Sequence, residues 1–159
     1  MKIRTGFGYD VHPFAEGREL WLGGIRIAHT KGLKGHSDAD VLIHALCDAL
    51  LGAANLRDIG FHFPDTAGEY KNIDSKILLA RTMKLIRAQH YELGNIDITV
   101  CAEKPSLNPH IPSMKSCLAS VMQVAEEDIS IKATTSEKMG FVGREEGMAV
   151  FATVLIMKD

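Results

Sequence analysis

The run "VLIHALCDALLGAA", residues 41–54, constrains the fold more than any other stretch. Its residues are apolar or small on every side except for His44 and Asp48, and Asp40 stands immediately before it. A helix that is apolar all round belongs in a deep interior. Residues spaced four apart stack on one helix face, so Asp40, His44 and Asp48 form a stripe of carboxylate, imidazole and carboxylate. Burying an unpaired charge is costly, so something must satisfy that stripe. Hydrogen bonds to backbone or between the side chains are one answer; a bound ion is the other.

The rest of the chain supplies what such a helix needs to be buried against. With 159 residues, one domain spanning 1–159 is expected, large enough to bury roughly 70% of its unfolded surface. Residues 2–12 read as a strand ending at Pro13. "RELWLGGIRIAH" reads as a hairpin joined at Gly23-Gly24, and "KGLKGHSDAD" as a loop. Residues 57–74 carry Gly60, Pro64 and Gly68 without clean periodicity and read as a long loop, a kind that is usually functional or mobile. Helical spacing marks 74–90, with Asp74 or Ser75 as N-cap, and 112–124, with Pro112 at its start. "LGNIDITVCAE" and "DISIKATT" read as strands, "SEKMGFVGREEG" as a turn, and "MAVFATVLIMK" as a closing strand buried on both faces. The expected class is α+β: one mixed or antiparallel sheet with helices packed on one face.

Charge and cysteine usage narrow the functions. A net charge of −2 gives no basic field, so neither nucleic acid nor an anionic membrane is an expected partner. Cys47, Cys101 and Cys117 form no closely spaced pair, which argues against a cysteine zinc site or a disulfide framework and fits a reducing compartment. No apolar run is long enough for a membrane span, and "MKIRTGFGYDVH" lacks the apolar core of a secretory signal. The chain is expected in a cytosol, or in a plastid-type organelle if a transit peptide was removed.

Two clusters carry candidate chemistry. Asp10 and His12 in "GYDVH" are two apart on a strand and share a face. Met by His44, they would make an oxygen–nitrogen–nitrogen set with a further position open, the pattern of a catalytic divalent site, usually zinc. Solvation at a strand end reads Asp10 and His12 equally well. The helix start, with His36 and Ser37 beside it, is a natural phosphate site. Ser37 followed by Asp40 resembles a capping box, so Asp40 could serve the helix instead of any chemistry. The second cluster, "KATTSEKMGFVGREEG", concentrates Thr134, Thr135, Ser136, Glu137, Phe141 and Arg144 between glycines. It reads either as an oxyanion cradle with Glu137 beside a magnesium ion or as a turn with surface charge.

Taken in order, "GFGYDVH", "LGG", "KGLKGHSDADVLIHALCDALLGAA", "DIG", "FPDT", "LGNID", "PHI" and "KATTSEKMGFVGREEG" resemble the 2-C-methyl-D-erythritol 2,4-cyclodiphosphate synthase family of the non-mevalonate isoprenoid pathway, over essentially the whole chain. The resemblance implies a homotrimer with active sites between subunits. It implies zinc on Asp10, His12 and His44, and a second ion, magnesium or manganese, on Glu137. It implies catalytic roles for His36 and Thr135. His36, Ser37, Asp58 and Gly60 would contact the methylerythritol phosphate, and Asp65 would sit on a mobile loop nearby. Ala102, Lys104, Pro105, Ala133, Thr134 and Thr135 would form the cytidine pocket. Ala67 stands where some relatives carry a second acid, and Lys104 precedes its proline where some carry the lysine after it.

The implied reaction is attack of a substrate's 2-phosphate on the β-phosphorus of its own cytidine diphosphate group, releasing CMP. Asp48 or Asp40 is expected to orient a ligand histidine from behind. A metal-dependent phosphatase or pyrophosphatase, and a non-catalytic trimer that binds isoprenoid phosphates, are the competing readings.

Overall fold

The structure, a computed structural model, describes residues 1–64, 66 and 68–159; Asp65 and Ala67 lie outside the described residues. Its centre is a long antiparallel pair, β1 (Lys2–Ala15) and β7 (Gly147–Lys158). β5 (Glu92–Cys101) joins β7 antiparallel, and β6 (Ile129–Thr134) joins β5 in parallel. The short β4 (Gly32–Leu33) closes the far edge, giving a mixed sheet in the order β4-β1-β7-β5-β6. β2 (Leu20–Leu22) and β3 (Ile25–Ile27) form the hairpin expected around Gly23-Gly24. Both glycines have positive φ, 60° and 78°, which is what a two-residue turn of this kind demands.

The helices lie on one side of the sheet. α1 (Val41–Ala53) packs on β1 and β7, α3 (Ser75–Ala88) on α1, and α4 (Ile111–Met122) on α3 and β6. The α+β class and the mixed sheet therefore agree with expectation. α1 is the innermost element, and most of its residues are wholly inaccessible. The approach of α1 to β1 is too close for ordinary side chains. A Cβ on Gly6 would stand 1.9 Å from the Ala49 carbonyl oxygen, and one on Gly8 1.9 Å from that of Ala45. Small residues on both surfaces, Gly6 and Gly8 against Ala45, Ala49 and Ala53, let helix and strand backbones touch.

Several boundaries differ from the sequence reading. β1 runs through Pro13 to Ala15. The Pro13 carbonyl faces the short edge strand, accepting the Lys34 N–H at 2.8 Å, so the donor that proline lacks falls on the same lightly paired side. Gly32–Leu33, inside an expected loop, pairs with Phe14 and Ala15. The long loop contains a one-turn helix, α2 (Ile59–His62), and a 3₁₀ turn at Gly68–Tyr70. The glycine-punctuated turn contains α5 (Gly140–Gly143). α4 begins at Ile111, with Pro112 inside its first turn, where a missing N–H costs nothing. β7 is not buried on both faces. Met148, Val150, Ala152, Val154 and Ile156 are covered by the helices, but Phe151 and Thr153 point to the open face and are exposed.

The Gly8 contact gives a direct stability test. Gly8→Ala forces the Ala45 backbone away and should destabilise the fold by about 1–3 kcal/mol in urea unfolding. Gly52→Ala, on an open part of α1 with nothing within 4 Å of the added carbon, should instead stabilise by about 0.5–1 kcal/mol.

Candidate metal centre and phosphate cavity

β1 presents Asp10 and His12 on the face that carries Gly6 and Gly8, the face met by α1. Because α1 sits so close, His44 reaches them. Asp10 Oδ2 is 3.0 Å from His12 Nε2 and 3.3 Å from His44 Nδ1, and the two imidazole nitrogens are 3.2 Å apart. Four ligands held tetrahedrally at about 2.0 Å from an ion stand about 3.3 Å from one another, so the three atoms have the spacing of three such ligands. Among the described residues this is the group of His, Cys, Asp and Glu side chains close enough together to hold a metal ion.

The bonding around the triad agrees with that use. Asp10 Oδ1 accepts the Val11 N–H at 2.9 Å, while Oδ2, aimed at the histidines, is buried without a hydrogen-bond partner. A buried, unpartnered carboxylate oxygen is costly unless a cation meets it. His12 Nδ1 lies 2.7 Å from the Lys34 carbonyl oxygen. A carbonyl only accepts, so Nδ1 carries the proton and Nε2 offers a bare lone pair. Burial raises the Asp10 pKa, but the adjacent His12 and His44 imidazoles outweigh it and lower the pKa to about 2. Burial opposes charge on His12, and Asp10 more than restores it, leaving the net shift upward; a proton and a cation therefore compete for the same site.

The remaining members of the α1 stripe do other work, which corrects the expectation that they orient a histidine. Asp40 is the helix cap itself and accepts the Ile43 N–H at 3.0 Å. It also accepts the Gly23 N–H at 3.0 Å and the Gly24 N–H at 2.7 Å. One fully buried carboxylate thus pins the β2–β3 turn to the start of α1. The capping box is not formed, because Ser37 Oγ accepts the Ala39 N–H instead. Asp48 accepts the Ile59 N–H at 2.7 Å and holds the start of α2. Burial pushes its carboxyl upward against that bond, with the charges of Asp58 and Asp10 adding to the push.

Asp10, His12 and His44 line a cavity of about 200 Å³ together with His36, Ser37, Asp48, Gly60, Phe63 and Tyr70. A second cavity of about 340 Å³ is lined by Ala102, Glu103, Lys104, Pro105, Ala133, Thr134 and Thr135, among others. The expected phosphate-side and cytidine-side residues are thereby gathered into two groups that share no residue. Four expected residues line neither cavity. Asp58 caps α2 through the Phe61 N–H at 2.8 Å, and Phe141 is partly exposed on α5. Arg144 pairs with Glu146 at 2.8 Å, and Glu137 accepts from Thr135 Oγ1 at 3.4 Å. Lys104 lines the second cavity but its ammonium pairs with Glu145 at 3.2 Å. Asp65 lies outside the described residues.

Residues 3–157 match the YgbB family. The chain belongs to that family. A relative from Parabacteroides distasonis, named 2-C-methyl-D-erythritol 2,4-cyclodiphosphate synthase, is 75% identical over 99% of this chain and 98% of its own. One of the same name from Bacteroides thetaiotaomicron is 70% identical over the full length of both. Among solved structures, the bifunctional IspDF of Campylobacter jejuni superposes with a TM-score of 0.96 at 48% identity; the match covers 99% of this chain and 43% of that one. A cyclodiphosphate synthase in its CDP-bound form superposes at 0.89 with 34% identity, over 97% of this chain and 100% of that one. The YgbB match spans residues 3–157, and the triad sits inside it.

Some site residues carried no sequence signal. Phe63, though inside "FPDT", and Tyr70 lie in an aperiodic loop that gives neither a site role, and Ser75 reads only as a possible helix cap. Glu103 accepts the Ser136 N–H at 2.9 Å and the Lys138 N–H at 3.3 Å, fixing a loop where Glu137 and Lys138 both have positive φ. Metal analysis separates the roles of the two carboxylates nearest the cavity. Asp10→Asn should weaken divalent-ion affinity by more than the 10- to 100-fold typical of outer partners, and Asp48→Asn should leave metal content unchanged.

Proposed function

We propose that the chain closes 4-diphosphocytidyl-2-C-methyl-D-erythritol 2-phosphate to 2-C-methyl-D-erythritol 2,4-cyclodiphosphate with release of CMP, in isoprenoid precursor synthesis. The observation that carries the reading is the triad: three ligand atoms at metal-site spacing, one a buried carboxylate oxygen without a partner, opening on a cavity. The names of the relatives and the CDP held by a structural neighbour support the choice of substrate.

Asp10, His12 and His44 would hold zinc, and Glu137 would hold magnesium or manganese. When bound, these cations supply charge withdrawal from the diphosphate and orientation of its reacting phosphorus. The reaction joins two anionic groups of one molecule, so repulsion and orientation are its main obstacles. His36 and Ser37, at the wall of the first cavity, donate to phosphate oxygens and hold the methylerythritol end with Asp58, Gly60 and Asp65. Ala102, Lys104, Pro105, Ala133 and Thr134 hold the cytidine end. Thr135 donates to the phosphates as charge moves toward the leaving CMP, and Phe141 and Arg144 close that end of the site. No side chain needs to act as a nucleophile, because the substrate's own 2-phosphate does so.

The active site forms between neighbouring subunits of a homotrimer. The separate phosphate and cytidine cavities support this, since one substrate must reach both kinds of residue. So does the open face of β1 and β7, where Phe7, Tyr9, Val11 and Phe151 are exposed together. The Tyr9 and Phe151 rings are 5.2 Å apart and the Phe7 and Phe151 rings 6.3 Å. A contiguous apolar patch of this sort marks an interface. No described helix is long and apolar enough to cross a membrane, and we place the trimer in the cytoplasm.

Phosphorus NMR of the product tests the reading. Cyclic diphosphate and CMP are expected, and inorganic phosphate would favour a phosphatase. Glu137→Gln should lower kcat roughly 100-fold or more while the zinc content of the protein stays that of the unaltered chain.

A further inference from the structure

We propose that Ser75, held by Asp38, is a positioning residue for the metal centre: its hydroxyl oxygen accepts the Nε2 proton of His44 and leaves the Nδ1 lone pair aimed at Asp10 and His12. The proposal rests on reading the triad as a metal site.

Ser75 is the first residue of α3 and is wholly buried. Two bonds lock it to one carboxylate. Its N–H donates to Asp38 Oδ2 at 2.9 Å, and its hydroxyl donates to Asp38 Oδ1 at 2.5 Å. An ionised carboxylate has no proton to give, and a serine hydroxyl has one. With that proton committed to Asp38, Ser75 Oγ offers only lone pairs to His44 Nε2, 3.0 Å away. The proton between them must come from the imidazole. A neutral imidazole carries one N–H, so Nδ1 is bare. Nδ1 is the atom 3.3 Å from Asp10 Oδ2 and 3.2 Å from His12 Nε2.

Ser37 is the other hydroxyl near His44, with Oγ 3.1 Å from Nε2. It already accepts the Ala39 N–H at 3.1 Å. Once Nε2 is protonated, Ser37 can only share that proton as a second acceptor, and its own hydrogen is left for Ser75 Oγ at 3.5 Å or for a group in the cavity. The two serines are therefore not equivalent: Ser75 sets the imidazole, and Ser37 faces the ligand. Asp38 also ties the segment together, accepting the Asp40 N–H at 3.1 Å and donating its own N–H to the Ile73 carbonyl at 3.1 Å. The ligand histidines thus hold opposite tautomers. A backbone carbonyl sets His12, and a carboxylate acting through a hydroxyl sets His44. Outer partners of this kind fix ring orientation and ligand basicity.

The test uses the full chain. In metal-free protein labelled with ¹⁵N at histidine, long-range proton–nitrogen correlation should show His44 protonated at Nε2 and His12 at Nδ1; His44 protonated at Nδ1 would overturn the proposal without any variant. In competition with a chromophoric chelator, Ser75→Ala should bind Zn²⁺ 10- to 100-fold more weakly, and its Co²⁺-loaded form should show an altered visible spectrum. Ser37→Ala should change Zn²⁺ affinity by less than about threefold, below the range expected for an outer partner. Wild-type affinity in Ser75→Ala, or an equal loss in Ser37→Ala, would overturn the assignment alone. Absence of Zn²⁺ binding in the unaltered chain would overturn the metal reading and this proposal with it. Should Ser75→Ala fail to fold, the tautomer measurement on the unaltered chain decides.

Discussion

Everything at the candidate centre depends on how closely α1 lies on β1. Two glycines on the strand and three alanines on the helix bring backbone against backbone, with carbonyl oxygens of α1 standing where Cβ atoms would otherwise be. Strand and helix run in opposite senses along this seam: Gly6 meets Ala49 and Ala53, Gly8 meets Ala45, and the next two residues on the same strand face are Asp10 and His12. His44 enters at that level because Ala45, its neighbour, is the contact of Gly8. The small residues set the separation, and the separation sets whether a helix-borne imidazole can reach two strand-borne ligands. Side chains of ordinary size at Gly6 and Gly8 would hold the helix away and leave the three ligand atoms apart.

The polar stripe on α1 then resolves into three separate tasks. Asp40 neutralises the free amides of a hairpin turn and of its own helix start, which is why a carboxylate with no exposed surface is tolerated there. His44 faces the strand ligands, and Asp48 holds the entry to α2. The four-residue spacing correctly put all three on one face. It could not assign the two carboxylates, because their partners Gly23, Gly24 and Ile59 lie in other elements. The same limit hid the Asp38–Ser75 pair: Asp38 lies in the loop before α1 and Ser75 opens α3, and only the packing of α3 on α1 brings them to one imidazole.

What was legible followed from local periodicity and from spacing. Asp10 and His12 share a strand face by the two-residue repeat, and His44 was singled out as a polar residue on an apolar helix; their meeting required only that the helix cover that face. The hairpin was legible because Gly23-Gly24 has few other uses between two apolar runs. Pro13 misled because a proline's effect depends on which side its missing donor faces, and that side belongs to the neighbouring strand. The loops at 57–74 and 136–147 hide single helical turns held by side-chain caps and tight turns, which are too short to leave a repeat.

β7 is where the sequence pattern and the exposure of a single chain differ most. "MAVFATVLIM" is apolar at nearly every position, yet the helices cover only alternate residues, and Phe151 remains exposed beside Phe7 and Tyr9. Burial on both faces fits this composition once neighbouring subunits are placed against the open face, as the proposed trimer requires. The β1–β7 pair would then serve two surfaces at once. Its inner face holds α1 and, through α1, the ligand histidine, while its outer face joins subunits. Within one chain the register Val11–Ala149–Cys101–Thr134 crosses the sheet at a single level, so the triad end of β1 and the ends of β5 and β6 beside the second cavity lie along one rim. With neighbouring strands about 4.8 Å apart, three strand spacings separate Val11 from Thr134, too far for one phosphate to bridge within a chain. In the proposed trimer, assembly around the apolar face would let one rim meet the next.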